Sequence, residues 1–508
     1  MKTAARPHPG RRLRRLGPLA AVLALGGCAV GPDYHRPAAE LPVTWTLEQP
    51  WRVGAPADAN DKGPWWQAFG DAQLDALEQR AMADSPTLAI AAARLAQARA
   101  TVTATSAGLF PSLGLGTRDA RNRISANRPL TNYASPNYST TQNDVNLGFT
   151  TSYELDLAGR VARGVEGVRA GAQQAGADFA NTRLVVSAEL ASDYFSLCTL
   201  DVSLDVLARS IALQRRALDF VSSRHELGAG TGLDVAQQQA LLDNTLTQVD
   251  VQKRQRAQFE HAIATLIGAP APTFSLPAAV RSLQPPAIPL GVPSDLLQRR
   301  PDVAAAERAM AVANAQIGVA TAAFYPSVIL SANLGDESRV LSKLFDAPSL
   351  VWSLGVSATQ TLFDAGRTRA NVDFARAGYD IALATYRRTL LTAMQEVEDG
   401  ITGVAALDRA TAQAQAAVAS AQRVLDMSDA RYEGGASTYL DVITAQQSLL
   451  SAQLQASQLA GQRQLAATLL VKALGGDWRG APATVASGTG TGTGSAAPAA
   501  AAAAGAGS

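Results

Sequence analysis

Residues 145–160 read VNLGFTTSYELDLAGR, an alternating segment that ends in a Gly-Arg pair. From Val145 to Leu155 every second side chain except Thr151 is apolar or aromatic, and the side chains between them are polar or glycine. Residues 350–367 read LVWSLGVSATQTLFDAGR and repeat the pattern. Segments of about ten residues with this alternation are typical of transmembrane β-strands. A half-buried hairpin of a soluble protein shows the same alternation, and these residues alone leave both interpretations open.

The sequence around residues 145–160 predicts a larger unit. Residues 89–107 favour a helix that stops before a proline, and residues 112–117 supply a partner strand for a hairpin. Residues 327–334 supply the partner strand for the alternating segment that begins at residue 350. After the hairpin, the chain from Arg160 to about Glu226 has no proline, which predicts a helix about 100 Å long at 1.5 Å per residue. A glycine-rich break at residues 228–232 then predicts a sharp turn into a returning helix over 233–267. No globular core buries so long a helix, so these helices are expected to pack against one another as in coiled coils.

The whole unit occurs twice. Residues 85–113 match residues 300–328 without a gap, and residues 158–268 match residues 365–475 without a gap. The spacing is 215 residues in the first block and 207 in the second, because the first copy has a longer loop in its hairpin. The predicted organisation is a signal peptide (1–27), a lipid-anchored N-terminal segment with a short helix (28–84), repeat 1 (85–269), a Pro-rich linker (270–300), repeat 2 (301–476) and a disordered low-complexity tail (477–508).

The N-terminal 27 residues have the pattern of a secretory signal peptide. A basic stretch without acidic residues is followed by a short apolar run that ends in Leu25-Gly26-Gly27-Cys28. This ending resembles the lipobox of bacterial lipoproteins, in which the cysteine is acylated and becomes the new N-terminus. Two or three acyl chains, palmitate among them, would anchor Cys28 stably. Ala29 in place of aspartate implies the outer membrane by the same resemblance.

Composition excludes several classes of function. Removing the six cations of residues 1–27 from the 44 Lys and Arg leaves 38, against 43 Asp and Glu, so the mature chain has no basic excess for nucleic acid. Two cysteines and four scattered histidines predict neither a disulfide scaffold nor a metal site. Cys198 lies among apolar residues, which favours a packed, unreactive thiol. Because no nucleophile–base set or phosphate-binding loop is present in the sequence, we expect neither a cofactor nor enzymatic activity.

Strand number predicts the assembly. Two hairpins give four strands, and an open sheet edge in hydrocarbon would leave unpaired backbone groups that each cost several kcal/mol. Closure needs about eight strands at least. Three chains would give about twelve strands and a wet lumen, which favours a homotrimer, although a dimer with a filled barrel also satisfies the arithmetic.

Several motifs resemble the NodT-type lipoprotein branch of the TolC-like outer-membrane efflux family. They are the N-terminal run 27–37 (GCAVGPDYHRP), Trp65-Trp66 with Phe69-Gly70-Asp71, the paired AGR motifs at 158–160 and 365–367, and the paired LDV motifs at 233–235 and 440–442. The resemblance extends from Cys28 to Trp478. It implies a mixed α and β membrane protein: a trimeric channel-tunnel with a twelve-stranded transmembrane β-barrel, four strands per chain, continued by a long α-helical cylinder in the periplasm.

The resemblance also implies a function. The chain would be the exit duct of a tripartite efflux system, moving small molecules such as drugs passively out of the periplasm. Its partners would be outer-membrane lipid, a periplasmic adaptor protein and an inner-membrane transporter, usually of the resistance-nodulation-division type. The alternative is a lipid-anchored structural coiled coil of the periplasm without a pore.

Candidate site residues follow from the predicted turns and from the resemblance. Asp234 and Asp441 come after the two helical tips, where acidic groups line the periplasmic aperture in similar channels. Tyr432 occupies the place of a gating tyrosine bonded to such an acid, and Arg431 or Arg224 would replace an arginine that is absent from the tip loop. The alternative role for both aspartates is to charge the first turn of the returning helices. Glycines are expected at the helix-tip turns (Gly228, Gly230, Gly434, Gly435) and at the strand–helix elbows (Gly159, Gly366).

Overall fold

The structure is a computed structural model that describes residues 29–36, 63–127, 139–281, 284–286 and 300–476. The predicted signal peptide, Cys28 and the predicted tail from residue 477 lie outside the described residues. The N-terminal segment and the Pro-rich linker are described in part.

The elements follow the same order in both repeats: helix, β-hairpin, helical hairpin. A 3₁₀ turn at Trp65–Phe69 and helix α1 (Ala72–Asp84) precede the first repeat. Repeat 1 contains α2 (Pro86–Ser106), β1 (Ser112–Ile124), β2 (Thr140–Leu155), α3 (Arg160–Glu226) and α4 (Gly232–Leu266). Repeat 2 contains α5 (Pro301–Ala322), β3 (Ser327–Ser338), β4 (Leu350–Thr359), α6 (Arg367–Glu433) and α7 (Tyr439–Ala473).

Local sequence explains where the long helices begin and end. Helices α3 and α6 have 67 residues each, with bounds at the two Gly-Arg elbows and the two tips that the sequence indicated. The glycine before each helix has a left-handed backbone, with φ of 75° at Gly159 and 90° at Gly366, which a residue with a Cβ adopts only with strain. Helices α4 and α7 start with capping boxes at Thr231 and Thr438.

The four strands form one antiparallel sheet in the order β1-β2-β3-β4. The hairpins of the two repeats have equivalent registers, because Ser112 pairs with Ser152 and Ser327 pairs with Thr359. Pairing between β2 and β3 joins the repeats, from Val145 opposite Ser338 to Leu155 opposite Val328. The first strands of the hairpins extend beyond the predicted 112–117 and 327–334, because the polar residues that follow continue the ladder.

The main core lies where α1 and the tryptophan pair pack on the middle of α3. Trp65 and Trp66 are buried, and the indole N–H of Trp65 donates to Ser187 Oγ at 3.0 Å. Asp71 accepts hydrogen bonds from Tyr194 at 2.8 Å and from Arg281 at 2.6 Å, which fixes the start of α1. Among the residues that the structure describes, no helix is both long and apolar enough to cross a membrane.

One polar side chain in this core lacks a partner. Glu78 of α1 is fully buried, and both of its carboxylate oxygens are without a hydrogen-bond partner in the described part of the chain. Burial, with a smaller contribution from Asp75, raises the pKa of Glu78 well above its ordinary value.

Candidate functional site

One face of the sheet is apolar and exposed. Pairing aligns Leu115, Phe149, Leu334 and Trp352 in a single row across all four strands. These side chains are exposed by 64%, 50%, 54% and 72% respectively. The apolar side chains of β4 run from Leu350 to Ala358, about 27 Å along the strand and about 20 Å in height at a tilt near 40°. An exposed apolar band of this height matches the hydrocarbon-facing surface of an outer-membrane protein.

The opposite face of the sheet is polar. The neighbouring row contains Gly114, Thr150, Asn333 and Ser353, none of which is apolar. Further along the hairpin of repeat 1, Arg118 forms an ion pair with Asp144 on this face. A sheet with one exposed apolar face and one polar face fits a boundary between lipid and water, as the alternation predicted.

Both edges of the sheet are open. Among the described residues, β1 pairs only with β2 and β4 pairs only with β3. Each edge strand therefore has a row of backbone N–H and C=O groups without a strand partner.

The segment that follows Cys28 is fixed to the base of the sheet. Val30 N–H donates to the carbonyl of Ala158 at 3.1 Å, and a Cβ on Gly159 would lie only 2.6 Å from Cα of Ala29. Arg163, which is buried, binds Asp33 at 2.8 Å, and this hydrogen bond lowers the pKa of Asp33.

Repeat 2 holds the rest of this N-terminal segment. Asn314 of α5 donates to the carbonyl of Pro32 at 2.9 Å, and Tyr34 donates to Glu307 at 2.6 Å. The segment 29–36 thus lies across α3 and α5, beginning at the elbow between β2 and α3.

At the opposite end of the helices, both predicted aspartates take part in capping boxes. The Thr231 N–H donates to Asp234 Oδ2 at 3.2 Å, and the Thr438 N–H donates to Asp441 Oδ2 at 3.1 Å. Both aspartates thus stabilise the first turn of a returning helix. Asp441 is exposed and Asp234 is half-buried, and each carboxylate has further lone pairs that can accept hydrogen bonds.

The tip residues proposed for a gate make different contacts from those implied by the resemblance. In the single chain, Tyr432 packs against Tyr439 with ring centroids 5.1 Å apart, and the hydrogen bonds of Asp234 and Asp441 are to capping threonines. Arg224 lies over the Tyr432 ring at 5.1 Å, so this arginine links the tips of the two helical hairpins.

The two arginines also stabilise the tip turns themselves. Arg224 donates to the carbonyl of Ala229 and Arg431 to that of Ala436, each at 3.4 Å. Of the four predicted tip glycines, Gly228 and Gly435 have left-handed backbones, with φ of 77° and 72°. Gly230 and Gly434 lie in the same turns with negative φ, so they do not require glycine for their conformation.

Sequence reasoning missed a buried polar link between the two helical hairpins near the tips. The Tyr439 hydroxyl donates to Gln238 Oε1 at 2.9 Å, and Gln238 Nε2 donates to the carbonyl of Gln214 at 3.0 Å. All three residues are buried, and burial raises the pKa of Tyr439. Glutamines on long helices normally face solvent, so no sequence pattern marks this pair as buried.

Sequence reasoning also missed a group of acids on α6. Asp426, Asp429 and Glu433 lie one turn apart before the second tip. Burial raises the pKa of Asp429, and the neighbouring acids Glu433 and Asp426 raise it further. Within the described ranges, no group of three or more His, Cys, Asp or Glu side chains could hold a metal ion.

Comparison with known proteins agrees with this geometry. The model of the family "Outer membrane efflux protein" matches residues 77–269 and 292–476, more than half of the chain. The pyoverdine export outer membrane protein OpmQ of Pseudomonas aeruginosa is 32% identical over 470 residues, covering 92% of this chain and 98% of OpmQ. The cation efflux system protein CusC of Escherichia coli is 29% identical over 470 residues, covering 92% of this chain and 99% of CusC.

A solved structure has the same fold. The outer-membrane channel OprN superimposes with a TM-score of 0.80 at 28% identity, covering 89% of this chain and all of the OprN chain. The predicted fold class is therefore confirmed, with its internal duplication and its mixture of long helices and one sheet. The predicted location in the outer membrane and the predicted role as an efflux exit duct are confirmed as well. The chain belongs to the outer membrane efflux protein family and has the fold of the trimeric TolC-like channel-tunnels.

Proposed function

We propose that three copies of this chain close a twelve-stranded barrel and form a continuous duct through which small molecules, including drugs, leave the periplasm. The observation that carries the proposal is the sheet with an exposed apolar face, a polar opposite face and two open edges. In hydrocarbon these edges would cost several kcal/mol per unpaired group, and pairing with neighbouring copies removes that cost.

The duct is a passive conduit. Its partners are a periplasmic adaptor and an inner-membrane transporter of the resistance-nodulation-division type, which supplies the energy. Relatives are named for cargoes as different as pyoverdine and cations. This diversity on one fold supports a role for the transporter, rather than the duct, in selecting the cargo.

The decisive experiment is a planar-bilayer recording of the purified protein together with its mass in a mild detergent. We expect a trimer with a measurable conductance. This conductance should increase when substitutions weaken the contacts between the helical tips. A protein that does not conduct even when the contacts between its helical tips are weakened would support the alternative of a lipid-anchored structural coiled coil without a pore.

The helical tips form the periplasmic aperture in this proposal. In a trimer, Asp234 and Asp441 contribute six carboxylates around the axis, which would attract cations and narrow the entrance. The exposure of Asp441, the partial exposure of Asp234 and the link from Arg224 to Tyr432 support this location.

Replacing both aspartates by asparagine separates charge from capping, because the amide oxygen of asparagine also accepts a hydrogen bond from the N–H of Thr231 or Thr438. We expect Asp234→Asn with Asp441→Asn to lower the cation preference and raise the conductance, measured as reversal potential and single-channel current. An unchanged reversal potential and single-channel current would mean that both aspartates only cap their helices.

A lipid anchor on Cys28 completes the proposed membrane attachment. Ala29 lies against Gly159 at the base of the sheet, where acyl chains on the preceding residue would reach the periplasmic leaflet. Cys28→Ser should therefore lower the amount of assembled trimer in the outer membrane, measured by immunoblot of membrane fractions. Assembly and export at full strength would mean that the barrel alone anchors the protein.

A further inference from the structure

The two helical hairpins leave a cavity between them beside the buried link from Tyr439 to Gln238. The cavity has a volume of about 210 Å³ and is lined by α3 of the first hairpin and by α6 and α7 of the second. Gln214, whose main-chain carbonyl accepts the hydrogen bond from Gln238, is one of the lining residues. The cavity therefore lies where the two hairpins are held together near the tips.

Two amide oxygens in the wall of this cavity are buried acceptors. Gln214 is 1% exposed, and its Oε1 atom has no hydrogen-bond partner in the described part of the chain. Within the described ranges the same is true of Oε1 of Gln446, on α7, which also lines the cavity. Gln214 Nε2 donates to Ser210 Oγ at 3.0 Å, which holds the amide in place. One acceptor belongs to each hairpin, so a molecule that fills the cavity contacts both hairpins.

The rest of the wall favours a neutral ligand. Among the described residues that line the cavity, Arg209 is the only charged one, and it forms an ion pair with Asp205 at 2.9 Å. Because this lining contains no carboxylate, an ammonium ion would be desolvated without a counter-charge, whereas a neutral O–H or N–H group satisfies the amide oxygens without that cost. The apolar part of the wall consists of four leucines, of which all but the first are buried: Leu213, Leu425, Leu449 and Leu450.

The volume of the cavity limits the size of the ligand. A cavity of about 150 Å³ accommodates benzene. The cavity between the hairpins, at about 210 Å³, is therefore large enough for a single ring with one or two small substituents. Such a ring would pack against the leucines while its donor reaches an amide oxygen.

We propose that this cavity binds a small neutral aromatic molecule with a hydroxyl or N–H donor, phenol being the simplest, and that the bound molecule stabilises the closed state of the aperture. A ligand that contacts both hairpins binds more tightly when they lie together, and it shifts the equilibrium toward that state. The binding site is complete within one chain, whereas the effect on the aperture rests on the proposed duct.

Fluorine NMR of the purified full-length protein in detergent tests the site, with 4-fluorophenol and fluorobenzene as probes. We expect 4-fluorophenol to bind with a Kd of roughly 1 mM, which its eight non-hydrogen atoms can supply. Fluorobenzene should bind about tenfold more weakly, because it has no donor for the amide oxygens. Gln214→Leu should weaken binding of 4-fluorophenol about tenfold without weakening binding of fluorobenzene. Equal affinity of the two probes, or unchanged affinity of 4-fluorophenol in Gln214→Leu, would overturn recognition through these oxygens.

Two tryptophan variants distinguish the cavity from detergent and from the remaining protein surface. Leu213 and Val251 are both 46% exposed, but only Leu213 lines the cavity. We expect Leu213→Trp to abolish binding of 4-fluorophenol, because the indole occupies the cavity, and Val251→Trp to retain it. The same binding in both variants would place the probe outside the cavity and overturn the proposal. Circular dichroism checks that both variants are folded, and Gln446→Leu, which should also weaken binding, tests the site without a bulky side chain.

Single-channel recording with 4-fluorophenol at ten times its Kd tests the effect on the aperture. A ligand that binds only the closed state raises the ratio of closed to open channels about 11-fold at this concentration. We expect this rise in the unaltered protein and in Val251→Trp, and no rise in Leu213→Trp. Binding without a change in this ratio would overturn the effect on the aperture but support the site. Binding to a protein that never conducts would overturn the proposed duct alone.

Discussion

The buried link between Tyr439 and Gln238 gives a quantitative prediction about opening of the tips. The hydroxyl donates across from the second helical hairpin to the first, at a site where both side chains are almost fully buried. Tyr439→Phe removes the donor and leaves Gln238 Oε1 buried without a partner, which costs about 1–3 kcal/mol. When the hairpins separate as the aperture opens, the Gln238 oxygen reaches solvent, so the substitution raises the free energy of the closed state alone.

That cost corresponds to a shift of about 5- to 150-fold in the ratio of open to closed tips. The assay is single-channel recording of Tyr439→Phe beside the unaltered protein, with open probability as the readout. A thermal melt of both proteins in detergent checks that the helical body stays folded.

Ser457→Ala is the matched control. Ser457 also forms a buried hydrogen bond between the two hairpins, to Ser203 at 3.1 Å, but it lies about 27 Å further from the tips than Tyr439 along α7, at 1.5 Å per residue. We expect this variant to leave the open probability unchanged. Equal open probability in Tyr439→Phe and the unaltered protein would refute the assignment of the tyrosine link to the closed state.

Three further predictions concern the elbow, the core and the thiol. Gly159→Ala should lower assembly more than Gly366→Ala, measured as trimer in membrane fractions: both positions have positive φ, but only the Cβ at 159 collides with Ala29. Equal loss in both variants would mean that backbone strain alone matters. Glu78→Gln should raise the melting temperature near pH 7 and change it little near pH 4, because the raised pKa of Glu78 opposes folding only as pH rises above its ordinary value of 4.5; an equal gain at both pH values would exclude ionisation as the cause. Cys198, whose pKa burial raises to about 11, should resist maleimide at pH 7.5 until the protein is unfolded, and rapid labelling of the native protein would contradict the packing of α3.

The elements that the sequence predicted best are those with long, repeated patterns. The proline-free runs marked α3 and α6 to their terminal residues, since glycine elbows and glycine tips flank both. The alternation at residues 145–155 identified the faces of the sheet, and the duplication located the counterparts. The lengths of β1 and β3 were underestimated because polar residues beyond the apolar band remain in the ladder.

Side-chain partners at the tips were the least predictable part. The sequence indicated the capping role of Asp234 and Asp441 as an alternative, and the structure shows both capping boxes. The burial of Gln238 depends on how the two hairpins approach each other, and glutamine has no intrinsic preference that reveals it. The contact of Arg224 with Tyr432 joins residues from different repeats, so spacing along the chain gives no indication of it.

The position of segment 29–36 has a consequence for the order of events during synthesis. Pro32 is held by Asn314, 282 residues later in the chain, and Tyr34 is held by Glu307, 273 residues later. Because Asn314 and Glu307 are exported long after segment 29–36, this segment stays undocked until more than half of the polypeptide has been exported. Segment 29–36 is therefore exported early but docks late, and its docking indicates that the two repeats have packed together.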